Sequence, residues 1–343
     1  MKINNNLDIF LITYNRKEQL EGTFKQILAK NSPIKDIPIT ILDNCSTDGT
    51  SQLCEEYAKQ YPNIKHIRHN KNIGGNANIT RAYEMVTKKY VWVLCDDDKF
   101  DFSHFKEISQ AMEQDYDVIL ASNYAITDKY SLTQLVKQLT LVPAGIYKTK
   151  LITSTVLMNA YFNISNIFPQ LALVCKAIND NCSFYIPKHG VVQVGIQEDG
   201  YSYTRGCDEE NNYIHPSMKN MFWQIGFINS VQMIKDKKKR KQLIRKADFD
   251  HITFKEISTY SMLRNILFTN KTSNKSYFKN TCDVFSAMPF SYRTIFLFLL
   301  FDHYIISNII RIRIQPHKIS FCFFTRFKTS IRLKPKEKVK NNG

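Results

Sequence analysis

Three aspartates in succession, Asp96-Asp97-Asp98, are the residues of this chain best suited to chemistry. Carboxylates this close repel one another, and their position directly after an apolar run adds a desolvation cost. A divalent cation relieves both. Mg2+ or Mn2+ bound by one or two carboxylates can complete its shell with the oxygens of a diphosphate. Acids also favour a helix N-terminus, which is the other use open to the triplet. One carboxylate would suffice for that, and Asp101 stands nearby. Asp43 can accept hydrogen bonds from a ribose or a base edge, or it can hold its own turn, Asp43-Asn44-Cys45-Ser46-Thr47. In Asn72-Ile73-Gly74-Gly75-Asn76 the glycines lack a Cβ and let backbone approach a phosphate, although an ordinary loop has the same composition.

These groups act together only if a scaffold collects them. Leu7–Thr13 is a compact apolar run, as a strand buried on both faces should be. Leu20, Phe24, Ile27 and Leu28 then share one helical face. A second strand is expected over 37–43, and Ser46 or Thr47 can cap the helix carrying Leu53, Tyr57 and Tyr61. A strand at Ile64–Arg68, a helix over 76–88 and a strand at Tyr90–Cys95 follow, then a helix over 102–114 and a strand at 117–121. Strands alternating with helices imply an α/β fold with a mostly parallel sheet. In such sheets ligands bind beyond the carboxyl ends of the strands, where Thr13, Asp43, Asn72 and Asp96 all fall.

Beyond residue 126 the alternation weakens. A helix is expected at 166–177 and strands at 183–187 and 191–196. From 221 onward the pattern turns helical: 221–234, the basic stretch to Lys246, and 254–268. The expected divisions are a first domain over 1–215, a helical region over 216–310 and a basic tail over 311–343.

The net charge of +16 is confined to two segments. Residues 235–246 hold eight Lys/Arg and one acid, and residues 311–343 hold ten and one; elsewhere 29 basic residues balance 29 acidic ones. A balanced body with basic patches fits an enzyme better than a protein coated for nucleic acid, and no base-reading motif is present. The eight cysteines form no C-x-x-C pair, as expected in a reducing cytosol. The N-terminal apolar run is too short for a signal peptide, and no stretch of 18 uncharged apolar residues occurs.

In order and spacing, Ile12-Thr13-Tyr14-Asn15-Arg16, Asp43-Asn44-Cys45-Ser46-Thr47-Asp48-Gly49-Thr50, Asn70-Lys71-Asn72-Ile73-Gly74-Gly75 and Cys95-Asp96-Asp97-Asp98 resemble the family 2 glycosyltransferases of the GT-A fold. The resemblance covers residues 7–125 well, 126–200 loosely and the C-terminal third not at all. It implies a nucleotide half over 1–125 and an acceptor half over 126–215. Thr13, Asn15 and Asp43 would hold the nucleoside, Asp96 the ribose or sugar, and Asp98 the metal, Mg2+ or Mn2+. The full donor-binding set on this reading is Thr13, Tyr14, Asn15, Asp43, Asn44, Asn72, Gly75, Asn76, Asp96 and Asp97, with Asp98 and Asp96 as metal ligands. The family inverts the anomeric centre and uses a carboxylate base. Many relatives carry that base in a Glu-Asp pair opening a helix, where this chain has Ile167-Phe168-Pro169-Gln170. Glu198-Asp199 is the substitute expected here, or else a solvated turn before Gly200.

The implied function is transfer of a sugar from a nucleotide donor, a UDP-sugar, to a glycan or lipid-linked acceptor in surface polysaccharide synthesis. A sugar nucleotidyltransferase is the alternative. It requires a Gly-rich loop with Arg directly after the first strand, where this chain has Thr13-Tyr14-Asn15. Residues 286–310 are rich in Phe, Leu and Ile but carry Asp302 and His303, which favours lying in a membrane interface over spanning it. With the basic tail behind them, peripheral attachment to an anionic inner membrane face is expected. The competing reading is an ordinary core or dimer helix.

Overall fold

A computed structural model describes residues 6–122, 131–193 and 222–245 of the chain. The chain divides into two units, Met1–Leu297 and Phe298–Gly343, and every described residue belongs to the first. The domain limits expected at 215 and 310 lie outside the described residues, as do 254–268 and 286–310.

The apolar runs of the first half become strands because helices cover both faces of the sheet they form. These strands are β1 (Leu7–Thr13), β2 (Ile39–Asp43), β3 (Ile64–Arg68) and β4 (Tyr90–Cys95), which is buried along its whole length. The helices between them are α1 (Lys17–Ile27), α2 (Thr50–Gln60) and α3 (Gly75–Glu84). Helix α1 buries Leu20, Thr23, Phe24 and Ile27. Phe24 stacks on Tyr57 of α2 with ring centroids 4.1 Å apart, so the two helices lie side by side on one face. Helix α3 stops four residues short of the expectation, because the chain turns to satisfy Asp8. The Asp8 carboxylate accepts from the Thr87 and Lys88 amides at 2.7 and 2.8 Å.

The next elements are β5 (Lys99–Phe100), α4 (Phe105–Glu113), β6 (Val118–Leu120), α5 (Leu132–Gln138), β7 (Gly145–Lys148), α6 (Ser154–Phe162) and α7 (Leu171–Asn179). Then come β8 (Phe184–Tyr185), β9 (Val192–Gln193), α8 (Phe222–Val231) and α9 (Lys237–Arg245). The seven-stranded sheet has the order β3-β2-β1-β4-β7-β6-β8, and β5 pairs with β9 in a separate ribbon. Strands β3, β2, β1 and β4 run parallel, whereas β7 is antiparallel to both β4 and β6. Strand β7 is absent from the sequence expectation. Its four residues are too few for a periodic signal, and long-range pairing alone makes them a strand. Trp92 of β4 anchors this seam by donating from its indole to Pro143 O at 2.8 Å. Helix α8 lies close against the turn before α7: a Cβ on Gly226 would stand 2.1 Å from Asn166 O, so only glycine fits there.

Register sets which residues share the upper edge. Thr13 lies opposite Asp43, Asp43 opposite Arg68, and Ile12 opposite Cys95. At the end of β2, Asp43 is fully buried and holds the following loop. It accepts from the Ser46 amide at 2.9 Å and from the Ser51 hydroxyl. His66 Nε2 and Arg68 Nε of the neighbouring strand stand 3.6 and 3.7 Å from the same carboxylate. Burial alone would raise its pKa, but the nearby His66 ring and hydrogen bonds from Ser46 and Ser51 outweigh burial and hold it at about 2. The folded value lies below the ordinary one of 3.8, so the contribution is complete above about pH 4 and fades as pH falls toward about 2. At 1.36 kcal/mol per unit it amounts to about 2 kcal/mol. Asp43→Asn should therefore remove a contribution of that size at pH 7 and flatten the acid limb of stability. Urea unfolding of both proteins from pH 6 down to pH 2 checks this; parallel acid limbs would exclude Asp43 as the titrating group.

Candidate active site

The β1–β4 register brings Thr13 to the aspartate triplet. Thr13 Oγ1 donates to Asp96 Oδ2 at 2.7 Å, with both residues buried. From α1, Thr23 Oγ1 donates to the Asp96 carbonyl at 2.9 Å. Arg16, at the mouth of the same helix, donates from Nη1 to Asp97 Oδ2 at 2.8 Å and stands 3.8 Å from Asp96 Oδ1. Within the fold, the repulsion foreseen among the three acids is answered at Asp96 and Asp97 by one hydroxyl and a guanidinium.

The triplet also suits a hard cation. Ligand atoms of Cys95, Asp97 and Asp98 lie within 4.8 Å of one another. Mg2+ and Mn2+ prefer oxygen, so the carboxylates of Asp97 and Asp98 are the fitting donors and the thiol is a neighbour. Asp96 is turned toward Thr13 and Arg16, and Asp97 is the residue grouped with Asp98.

The two loops beside the triplet are tied to each other. Asn15 has a left-handed φ of 49°. Its amide donates to Ser46 Oγ at 2.9 Å, and its Oδ1 accepts from the Thr47 amide at 2.7 Å. Ser46, expected with Thr47 to cap α2, instead accepts from Asn15, and the cap position falls to Gly49 at φ 94°. Asn44 Nδ2 donates to Asn72 Oδ1 at 2.7 Å, and Asn44 Oδ1 accepts from the Ile73 amide at 2.9 Å. Asn72 Oδ1 also accepts from the Gly74 amide at 2.8 Å. Gly74 has φ 84°, where a side chain would be strained, and nothing lies within 4 Å of where a Cβ on Gly75 would stand. The glycine loop thus borders open space at the start of α3.

Four residues expected to touch the donor engage the protein in this structure. Asp43, Asn44 and Asn72 brace the loops, and Asn76 Nδ2 donates to Ile164 O at 2.8 Å. The reason is general: a loop at a strand end carries backbone groups that need partners. Tyr14 is half-buried beside Thr13. Glu198 and Asp199 lie outside the described residues. Arg16, Ser51, His66 and Arg68 are not among the expected site residues. Arg16 carries a signal, since three adjacent acids demand a counter-ion and it directly follows Asn15 just beyond the end of β1. The other three depend on register.

A sequence model of glycosyl transferase family 2 matches residues 8–182, just over half of the chain. Among curated proteins the chain is similar to abequosyltransferase RfbV of Salmonella typhimurium. The identity is 34% over 87 residues, covering 25% of this chain and 26% of that protein. It is also similar to the GalNAc(5)-diNAcBac-PP-undecaprenol beta-1,3-glucosyltransferase of Campylobacter jejuni, at 27% identity over 32% of this chain and 35% of that one. The matches thus span about a quarter to a third of those relatives' length. Among solved structures, S. aureus TarS 1-349 in complex with UDP superimposes with a TM-score of 0.55 at 15% identity, covering 93% of this chain and 94% of that one. That likeness shows the GT-A fold, and with the family match the chain belongs to glycosyl transferase family 2.

Proposed function

We propose that this chain transfers a sugar from a nucleoside diphosphate donor, a UDP-sugar, to a glycan or lipid-linked acceptor, with inversion at the anomeric carbon. The observation that carries the reading is the convergence of Thr13, Arg16 and Asp96–Asp98 at one sheet edge, beside a glycine loop that faces open space. In this reading Asp96, oriented by Thr13, meets the ribose or the sugar, and Tyr14 and Asn15 flank the nucleoside. Asp43 acts through the loop it braces. Asp98, with Asp97, would hold Mg2+ or Mn2+, which when bound neutralises charge on the departing diphosphate. The acceptor oxygen forms its bond to the anomeric carbon as the bond to the diphosphate breaks, and Glu198 or Asp199 takes the hydroxyl proton. The names of two similar proteins support the sugar and acceptor classes: one is an abequosyltransferase, and the other a glucosyltransferase of an undecaprenol-linked glycan.

No helix among the described residues is long and apolar enough to cross a membrane. The basic helix α9 exposes Lys237 and Lys238 while burying Leu243 and Ile244, a surface suited to anionic lipid. Peripheral attachment through the C-terminal region at the inner membrane face would bring the enzyme to a lipid-linked acceptor.

Donor use is tested with purified protein and a panel of nucleotide sugars. Asp98→Ala should abolish turnover with an unchanged thermal midpoint, and chelation should inhibit the wild type until Mg2+ or Mn2+ is restored. Full activity in chelator would exclude the metal. Replacing Glu198 and Asp199 separately by Ala should cost one variant about 10²–10⁴ in turnover; normal rates in both place the base elsewhere. The full-length protein should sediment with anionic liposomes at physiological salt and not with neutral ones, and equal partitioning would remove the membrane role.

A further inference from the structure

A second group of metal-binding side chains stands apart from the aspartate triplet and shares no residue with it. His104 closes a 3-10 turn, Glu107 lies in the first turn of α4, and His189 comes from the connection between β8 and β9. One ligand atom from each lies within 4.8 Å of the others. The Glu107 carboxylate is already oriented: its Oε2 accepts from the Lys188 amide at 2.8 Å. Its Oε1 faces His189 Nδ1 at 3.4 Å and His104 Nδ1 at 3.9 Å. The two imidazoles stack with centroids 4.0 Å apart and an interplanar angle of 19°.

We propose that His104, Glu107 and His189 form a site for a borderline transition metal, Zn2+ or chemically similar Co2+ or Ni2+. The donor set decides the class. Two imidazole nitrogens and one carboxylate suit these ions, whereas Mg2+ and Mn2+ prefer the all-oxygen set at Asp97 and Asp98. Three protein ligands leave a fourth tetrahedral position for water. Nitrogens of two stacked rings do not point to one centre, so one ring must turn to ligate. The side chains of His104 and His189 are 45% and 43% exposed, which leaves them room to do so.

Occupancy has a structural consequence. His189 lies two residues before Val191, whose carbonyl accepts from the Asp101 amide at 2.8 Å. Val192 and Gln193 then pair with Phe100 and Lys99, directly after the aspartate triplet. A metal at this site would clamp α4 to the strand that flanks the triplet, stiffening the ribbon without entering the active site.

The test uses the full-length protein without a histidine tag, in millimolar Mg2+ to occupy the carboxylate site. Zn2+ stoichiometry is measured by equilibrium dialysis, and the thermal midpoint is read with and without Zn2+. The wild type and Asp98→Ala should each bind one equivalent that His104→Ala and His189→Ala both lose. Zn2+ should raise the midpoint of the wild type and leave that of His189→Ala unmoved. Co2+ should give visible d–d absorption in the wild type that disappears in His189→Ala. Because both histidines are exposed, the variants should fold with the metal-free midpoint of the wild type. The proposal is overturned if Zn2+ stoichiometry is the same in the wild type and both histidine variants, or if the wild type binds none; the cluster is then an ion pair only.

Discussion

Electrostatic repulsion among three consecutive carboxylates is the constraint around which this molecule is organised. Left alone at the end of a buried strand, Asp96, Asp97 and Asp98 would push that strand end toward solvent. Each of the first two is held by a different element: Asp96 by Thr13 from β1 and, through its carbonyl, by Thr23 from α1, and Asp97 by Arg16. The β1–β4 pairing and the seat of α1 are therefore conditions for keeping negative charge concentrated at one point. On the proposed function, this holds negative charge where a cation and a diphosphate would bind.

The second restraint is the buried network at Asp43. A fully buried carboxylate is costly unless its oxygens are used. Here they collect Ser46 and Ser51 from the loop and helix that follow, with His66 and Arg68 of β3 close by. The loop so fixed reaches β1 through Ser46 and Asn15, and the glycine loop through Asn44 and Asn72. Three strand ends thus share one hydrogen-bonded frame, and distortion of any one of them reaches the triplet.

How much of this could be read from the chain differs by physical origin. Strands β1 to β4 were legible because burial on both faces leaves unbroken apolar runs, and their polar ends were legible by contrast. The triplet announced itself through its own repulsion. Strand β7 was hidden, because four residues of Gly-Ile-Tyr-Lys become a strand only by pairing with Trp92 and Ile119. The roles of His66 and Arg68 were hidden for a related reason, since nothing local says which residue lies opposite Asp43. The cap of α2 was hidden because Ser46 is a good cap in isolation, yet Asn15, distant in sequence, claims its hydroxyl. Local chemistry was readable, and its recruitment by distant strands was not.

The antiparallel insertion of β7 also bears on how the chain is made. Strand β4, with the sequence YVWVLC, has β1 on one edge, and its other edge is closed only by residues 145–148. During synthesis from the N-terminus, the first four strands are complete about 50 residues before that partner exists. Throughout that interval the most apolar strand of the sheet carries an open edge, the feature most prone to pair with another chain. The segment between them sets the length of the nascent chain's most aggregation-prone stage.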